Sequence, residues 1–427
     1  MNENKIKDCM KEYYILYIES YVLIRTNGKD VFIFNVLNNE KFIISKYNLH
    51  PKLKEFLFNI SLNPHAIYLE INKYIHFELM NDQTFINLRE SFIIDSIIIC
   101  SNSIPVFLSC KPRIHSGARQ KSIGNMFNPF DEIFLHVNGG HIEYKDTLVS
   151  NYYKQFNFPI AKTDSISKLE NLLRFIDVFI KYKVRSINLN VHQWNSIKAI
   201  DMFIKKCIDL KNLNLMIHVT FLEFKILVDS FSRLGFEPER YYVYFFELLP
   251  NVDKIDAIID YCSIYLVNRQ IVFCVIIKNS NEYGYAEKLS KNNPHCNFQY
   301  LPYLDGSNDD FMKSNIAFTL DELTSANHSL RDISVNEKLN SCFYGKIIID
   351  ANGDLYTSFN LNKIGNIFEK NSQIREKLHN QESLWFLTRN KVKPCMDCLF
   401  NCFCPPINDY NLNLGSFDLC KIDKVHI

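Results

Sequence analysis

From Asp131 onward the chain repeats one unit, a short β-prone run followed by a helical run, and no other feature restricts its fold as much. The candidate strands are EIFLHVN, VRSINLN, LNLMIHV, YYVYFFEL and QIVFCVII, with QYLPYL as a further one. Between the first two, SISKLENLLRFIDVFIKY spaces Leu169, Leu172, Leu173, Ile176 and Phe179 or Ile180 along one helical face, with Ser167 and Glu170 at capping-box spacing. NSIKAIDMFIKKC, TFLEFKILVDSFSRLG and KIDAIIDYCSIYL continue the alternation. The pattern predicts a parallel sheet covered by helices, either an open sheet or an incomplete barrel. Such strands are buried on both faces, which suits their Ile, Val and Phe content.

The flanking regions read differently. In the first, YVLIRTNGKDVFIFNV sets two β-prone runs around Asn27-Gly28, a hairpin signal, and Asn38-Asn39 marks a second turn before EKFIIS. HPKLKEFLFNI reads as a helix with Leu53, Phe56 and Leu57 on one face, and HAIYLEI, IHFELM and DSIIIC read as strands. KPRIHSGARQKSIGN has the composition of a solvated connector. A polar, loop-like interval runs through about Asn336, after which FYGKIIIDANGDLYTS forms a hairpin around Asn352-Gly353. Three units are expected, at 1–119, 130–305 and 337–427.

Composition narrows the function classes. With 427 residues, 47% of them apolar, the chain can bury a large core. A formal net charge of +1 supplies no field for phosphate, so no nucleic-acid partner is expected. MNENKIKDCMKEYY has no apolar signal region and no uncharged apolar run spans 18 residues, so a cytoplasmic protein with no membrane partner is expected. Thirteen cysteines in that compartment do not read as a disulfide framework, and an odd number cannot pair fully. Neither GxGxxG nor GxxxxGK[ST] occurs, nor HExxH, nor GxSxG. The aromatic run YYVYFF has no basic residues interleaved and reads as core rather than a base-stacking platform.

The thiols concentrate in KPCMDCLFNCFCPP. Cys395 and Cys398 form a CxxC, Cys404 follows, and Cys420 ends GSFDLC. Two thiolates two residues apart can face one metal from a tight turn, and later cysteines can close the coordination sphere. Four sulfur ligands fit tetrahedral zinc or a [4Fe–4S] cluster, and both remain open on spacing alone. Cys402 is either an alternate ligand or a buried free thiol, while Cys207, Cys262 and Cys274 fall on apolar faces and read as core.

PCMDCLFNCFCPP followed by LC, together with SCFYGKIIIDANGDLYTS upstream, resembles the SPASM domain of radical S-adenosylmethionine peptide-modifying enzymes. The likeness extends to the pseudo-radical-SAM proteins of Bacteroidales ribosomal peptide maturation systems. It implies an α/β chain: a partial (β/α)6 barrel of radical SAM type, an N-terminal hairpin-rich α+β domain and a C-terminal SPASM-like cluster domain. Carried onto this chain, the ligands of one auxiliary [4Fe–4S] cluster match Cys395, Cys398, Cys404 and Cys420. Of the other auxiliary set only Cys342 matches; Ser358, five residues beyond Gly353, and Asn408 stand where its partners belong.

The departures are in the barrel. Where the family carries CxxxCxxC after the first strand, this chain has GGHIEYKDTLVSNYYKQFNFP, with no cysteine between Cys110 and Cys207. Where the family carries a GGEP-like motif, it has Val191-His192-Gln193-Trp194. The resemblance therefore implies no bound S-adenosylmethionine and no adenosyl radical. It points to a non-catalytic accessory or peptide-binding partner in maturation of a ribosomally synthesised peptide. Expected partners are the precursor peptide, an active radical SAM maturase, or both, in a homodimer or heterodimer. The N-terminal unit resembles leader-peptide recognition modules, in which a peptide adds a strand to a sheet edge; the alternative is a scaffold or dimerisation module. His192 and Trp194 mark either a repurposed pocket or a lost site refilled with bulky side chains, and Asp201 has no fixed relation to His192. Competing readings are a divergent peptide-modifying enzyme working near His192 and a zinc-stabilised scaffold.

Overall fold

The computed structural model describes residues 11–62, 67–101, 132–138, 186–192, 214–233, 238–245, 252–265, 270–326, 328–369, 371–380, 382–417 and 420–421, with isolated positions between these segments. The first segments contain β1 (Lys11–Ile18), β2 (Val22–Thr26), β3 (Asp30–Asn35), β4 (Lys41–Ser45), α1 (Pro51–Leu62), β5 (Tyr68–Ile71), α2 (Lys73–Met80), α3 (Gln83–Glu90) and β6 (Ile94–Ser101). They form two antiparallel sheets, ordered β5-β1-β6 and β2-β3-β4. Asn27 starts the turn between β2 and β3 by accepting the Lys29 and Asp30 amides at 3.0 and 2.9 Å, and Gly28 takes φ +85°. Asn39 takes φ +59° in the next turn. Leu53, Phe56 and Leu57 of α1 are all buried, as their spacing predicts.

IHFELM is not a strand but most of α2. Asn72 caps it by accepting the Ile75 amide at 2.8 Å, and His76 and Leu79 fall three residues apart on its buried face. Phe77, which strand alternation would align with Ile75, is exposed. The neighbouring α3 is likewise set by a cap, Asp82 accepting the Phe85 amide at 2.8 Å.

The β2–β3 hairpin is buried on both faces. Val22, Ile24, Val31 and Ile33 join the core built with α1, α3 and β6. Leu23, Phe32 and Phe34 point the other way and pack with Cys398, Leu399, Phe400, Cys402 and Phe403. The register pairs Leu23 with Phe34 and Ile24 with Ile33, so a one-residue slip would exchange the two faces.

The second region contains β7 (Glu132–Asn138), β8 (Ser186–His192), β9 (Asn214–Thr220), α4 (Phe221–Arg233), β10 (Arg240–Phe245), α5 (Val252–Tyr265), β11 (Gln270–Ile277), α6 (Ser280–Asn292) and β12 (Asn297–Pro302). These six strands lie side by side in chain order, each parallel to the next. Right-handed crossovers between strands in unbroken order place their helices on one face. Accordingly α4, α5 and α6 contribute Phe224, Leu227, Ile255, Ile259, Ala286 and Leu289 to one core with Ile133, Leu135, Ile187, Ile217 and Val243. SISKLENLLRFIDVFIKY and NSIKAIDMFIKKC lie mostly outside the described residues, as do KPRIHSGARQK and Cys207.

The interval expected to be loop holds α7 (Asp309–Asn315), α8 (Leu320–Ser325) and α9 (Leu330–Lys338). Its polar composition hides two capping boxes, Thr319 with Glu322 and Ser329 with Asp332, which start α8 and α9. Then follow β13 (Lys346–Ile349), β14 (Asp354–Tyr356), β15 (Gly365–Asn366), α10 (Asn371–His379) and α11 (Asp409–Leu414). The turn at Asn352-Gly353 forms as expected, with Gly353 at φ +84°; a Cβ there would meet Ile367 Cγ2 at 3.1 Å. Strand β13 pairs parallel with β7, so the hairpin extends the same sheet to the order β12-β11-β10-β9-β8-β7-β13-β14-β15. The fold is mixed α/β around a mostly parallel sheet. Among the described residues no helix is long and apolar enough to cross a membrane.

Phe32 is fully buried and meets Phe400 and Phe403 edge-on at 5.0 and 5.6 Å between ring centroids. Phe32→Ala is expected to cost about 3–5 kcal/mol. Chemical denaturation of the two proteins measures it, and a loss under about 1 kcal/mol would contradict this packing.

Candidate metal centre

The CxxC sits on a 3-10 turn over Cys395–Asp397, with the Cys398 amide donating to the Cys395 carbonyl at 3.1 Å. A second tight turn, Phe403 N to Phe400 O at 2.9 Å, delivers Cys404, and the Asn401 side chain ties the turns together by donating to the Cys395 carbonyl at 2.8 Å. Cys420 comes from another part of the chain. It forms a parallel bridge with Phe318, and the Lys421 amide donates to the Phe318 carbonyl at 2.8 Å.

All four predicted thiols, Cys395, Cys398, Cys404 and Cys420, line one cavity. Phe318, Leu323, Arg389, Pro394, Asn401 and Phe417 complete its wall. Among the described residues no three His, Cys, Asp or Glu side chains stand at the spacing that a single bound ion requires. The thiols face a shared space without closing on one point. Four soft donors in a largely apolar wall have the chemistry for a thiophilic centre, zinc or iron–sulfur.

Burial raises the Cys398 thiol and pushes Cys404 up to about 12, since a bare thiolate is poorly solvated there. Any metal taking these ligands must displace their protons, so loading is tied to pH. Cys402 is not among the residues lining the cavity. It is buried in the wall against β2 and β3, where burial pushes it up to about 11, with Arg25 opposing. Arg25 also pairs with Glu337 of α9 at 2.8 Å.

The residues expected at the other auxiliary set have other partners. Ser358 is fully buried and its hydroxyl donates to the Asp409 carboxylate, which Asn360 also approaches at 3.4 Å. Asn408 caps α11, accepting the Asn411 amide at 3.1 Å. Cys342 is half-buried, and its thiol is raised chiefly by burial, with Lys346 opposing and Asp409 adding to it. A serine and an asparagine occupied in this way are poor iron ligands, both in donor softness and in availability. Loss of solvation pushes Asp409 up to about 6, against the Ser358 and Asn360 hydrogen bonds and Lys346.

Sequence periodicity missed one arrangement in the parallel sheet. The face opposite α4–α6 is polar at its centre, where His136, Asn190 and His218 are register neighbours on β7, β8 and β9. His218 bonds Asn188 Oδ1 at 2.9 Å and the Tyr244 hydroxyl at 2.8 Å, while Asn190 Nδ2 lies 3.3 Å from His136 Nε2. Burial holds both imidazoles neutral, each pushed down to about 3. Asn188 Nδ2 and Asn190 Oδ1 are buried without a hydrogen-bond partner. A histidine near the end of each of EIFLHVN and LNLMIHV was the available signal. His192 ends β8; Gln193, Trp194 and Asp201 lie outside the described residues. Cys262 and Cys274 are buried, as expected of core residues.

No family model matches the chain, and no curated protein matches it.

Asp409 generates a pH prediction. Its folded-state value lies above the ordinary 3.8, so the native state holds this proton more tightly than the unfolded chain does. Its contribution is full below about pH 4 and is lost as pH rises through about 6, a change of about 3 kcal/mol for a shift of roughly two units. Asp409→Asn should flatten this part of the stability curve. Urea midpoints between pH 4 and 7 check it, and an unchanged slope in the variant would refute the assignment.

Proposed function

We propose that this chain is a non-catalytic, SPASM-like accessory protein that holds one [4Fe–4S] cluster and binds a ribosomal precursor peptide, an active radical SAM maturase, or both. The observation that carries the reading is the meeting of Cys395, Cys398, Cys404 and Cys420 on one cavity, drawn from two separate stretches of chain. Four thiols on one cavity fit a [4Fe–4S] cluster or zinc, and the likeness of the segment to a SPASM domain favours the cluster. The six parallel strands β7–β12, in unbroken order with their described helices on one face, suit a partial (β/α)6 barrel. In the same reading Ser358 and Asn408 account for one cluster rather than two.

Within the proposed barrel, the residues at strand positions facing away from the helices include neutral histidines, asparagines and tyrosine. Cys274, beside Tyr244, is the thiol that the described strands place on this face, and one thiol does not make the three-cysteine set of an iron centre that opens a coordination position for a sulfonium cofactor. When bound at the thiol cavity, the cluster supplies cross-linking of a segment with little regular structure. Cys395 and Cys398 would hold it from the turn, Cys404 from the following loop and Cys420 from the segment bridged to Phe318. The β2–β3 face supports that segment from behind, so the N-terminal unit and the metal centre are mechanically joined.

Anaerobic purification followed by iron and acid-labile sulfide analysis is the first test. Wild type should carry about four of each per chain, and Cys398→Ser should lose most of both. With dithionite and S-adenosylmethionine, wild type should form no 5′-deoxyadenosine. Turnover at enzyme-like rates would overturn the non-catalytic reading, and zinc without sulfide would favour the scaffold alternative.

A further inference from the structure

We infer that Arg389 is the positioning residue of the thiol cavity, clamping its two chain segments together and placing a fixed positive charge beside the cluster. This rests on the cluster reading above. Arg389 begins a 3-10 turn over Arg389–Lys391, six residues ahead of the CxxC, and its side chain returns to the cavity wall. Its Nε donates to the Pro405 carbonyl at 2.6 Å, one residue beyond Cys404. Its Nη1 donates to the Phe417 carbonyl at 2.7 Å, three residues before Cys420. The same nitrogen lies 3.6 Å from Cys395 Sγ, whose thiol donates to the Phe417 carbonyl at 3.2 Å. One guanidinium thus spans both segments that supply ligands and also touches a ligand sulfur.

The geometry requires arginine. A planar fork can hold two carbonyls and a sulfur at fixed angles, whereas an ammonium on a flexible stem is a point charge. Arg389 is also the charged side chain among the described residues lining the cavity. A cluster held by four thiolates is anionic when oxidised and gains a further negative charge on reduction. A nearby fixed cation favours the reduced form more, and so raises the potential. Hydrogen bonds to ligand sulfur and to the backbone around it act in the same direction and also slow ligand loss.

The test compares full-length wild type, Arg389→Gln and Arg389→Lys, purified anaerobically, with far-UV circular dichroism confirming that each is folded. Two quantities are read: the cluster midpoint potential by titration with reductant, and the rate of iron loss to a chelator. Arg389→Gln should titrate at a more negative potential and release iron about 10-fold faster. Arg389→Lys should recover the potential, because charge is kept, but not the slow release, because the fork is lost. Wild-type values for both quantities in Arg389→Gln would overturn the inference while leaving the cluster reading intact. If wild type instead carries zinc, the cluster reading fails, and the clamp is judged on zinc release: about 10-fold faster in Arg389→Gln sustains it and equal rates overturn it. A wild type that binds neither metal overturns both.

Discussion

Leu23, Phe32 and Phe34 form one apolar face of the β2–β3 hairpin, and the cysteine-rich segment depends on that face. From Pro394 to Pro405 the chain has only tight turns, too little regular structure to bury Phe400 and Phe403 by itself. The hairpin supplies the missing wall, while its opposite face, Val22, Ile24, Val31 and Ile33, closes a second core. Period-two alternation makes this possible, because successive side chains of a strand face opposite ways and one thin sheet can serve two cores at once. The Arg25–Glu337 pair, at the same junction, connects the strand to α9.

On that support, two distant stretches of chain meet. Cys420 is held by its bridge to Phe318, and Arg389 reaches across to carbonyls on both sides of the cavity. Closing a loop between such stretches costs entropy whether or not metal is bound, and the protein's own hydrogen bonds offset part of that cost in advance. A bound centre would then lock an arrangement already formed. The neighbouring region is held differently, by hydrogen bonds among Ser358, Asn360 and Asp409 and by the cap at Asn408.

The parallel sheet shows the same economy of faces. Its helix-covered side is Ile, Leu and Val with Tyr241, Phe245 and Phe273, and the other side carries His136, Asn188, Asn190, His218 and Tyr244. Alternating strands such as LNLMIHV were read for burial, and burial holds on both sides. What periodicity did not distinguish was apolar burial from burial of a hydrogen-bonded polar row, since both exclude water. The turns at Asn27-Gly28 and Asn352-Gly353, the face of α1 and the parallel sheet of alternating strands and helices were legible because each follows from residues close in sequence. α2 was misread as a strand, and α7–α9 as loop, because caps at Asn72, Thr319 and Ser329 outweighed local hydrophobic pattern.

By itself the sequence determined the local units: the alternating strands and helices, the asparagine–glycine turns, and a set of four thiols, three of them close enough in the chain for their spacing to have meaning. Tertiary structure decided which distant pieces line the thiol cavity. Cys420, Phe318 and Arg389 carry no mutual spacing signal, and neither does the contact of Phe32 with Phe400 and Phe403. The physical reason is one of range. Backbone geometry and capping act over a few residues, whereas burial of apolar surface and convergence of side chains depend on the path of the whole folded chain.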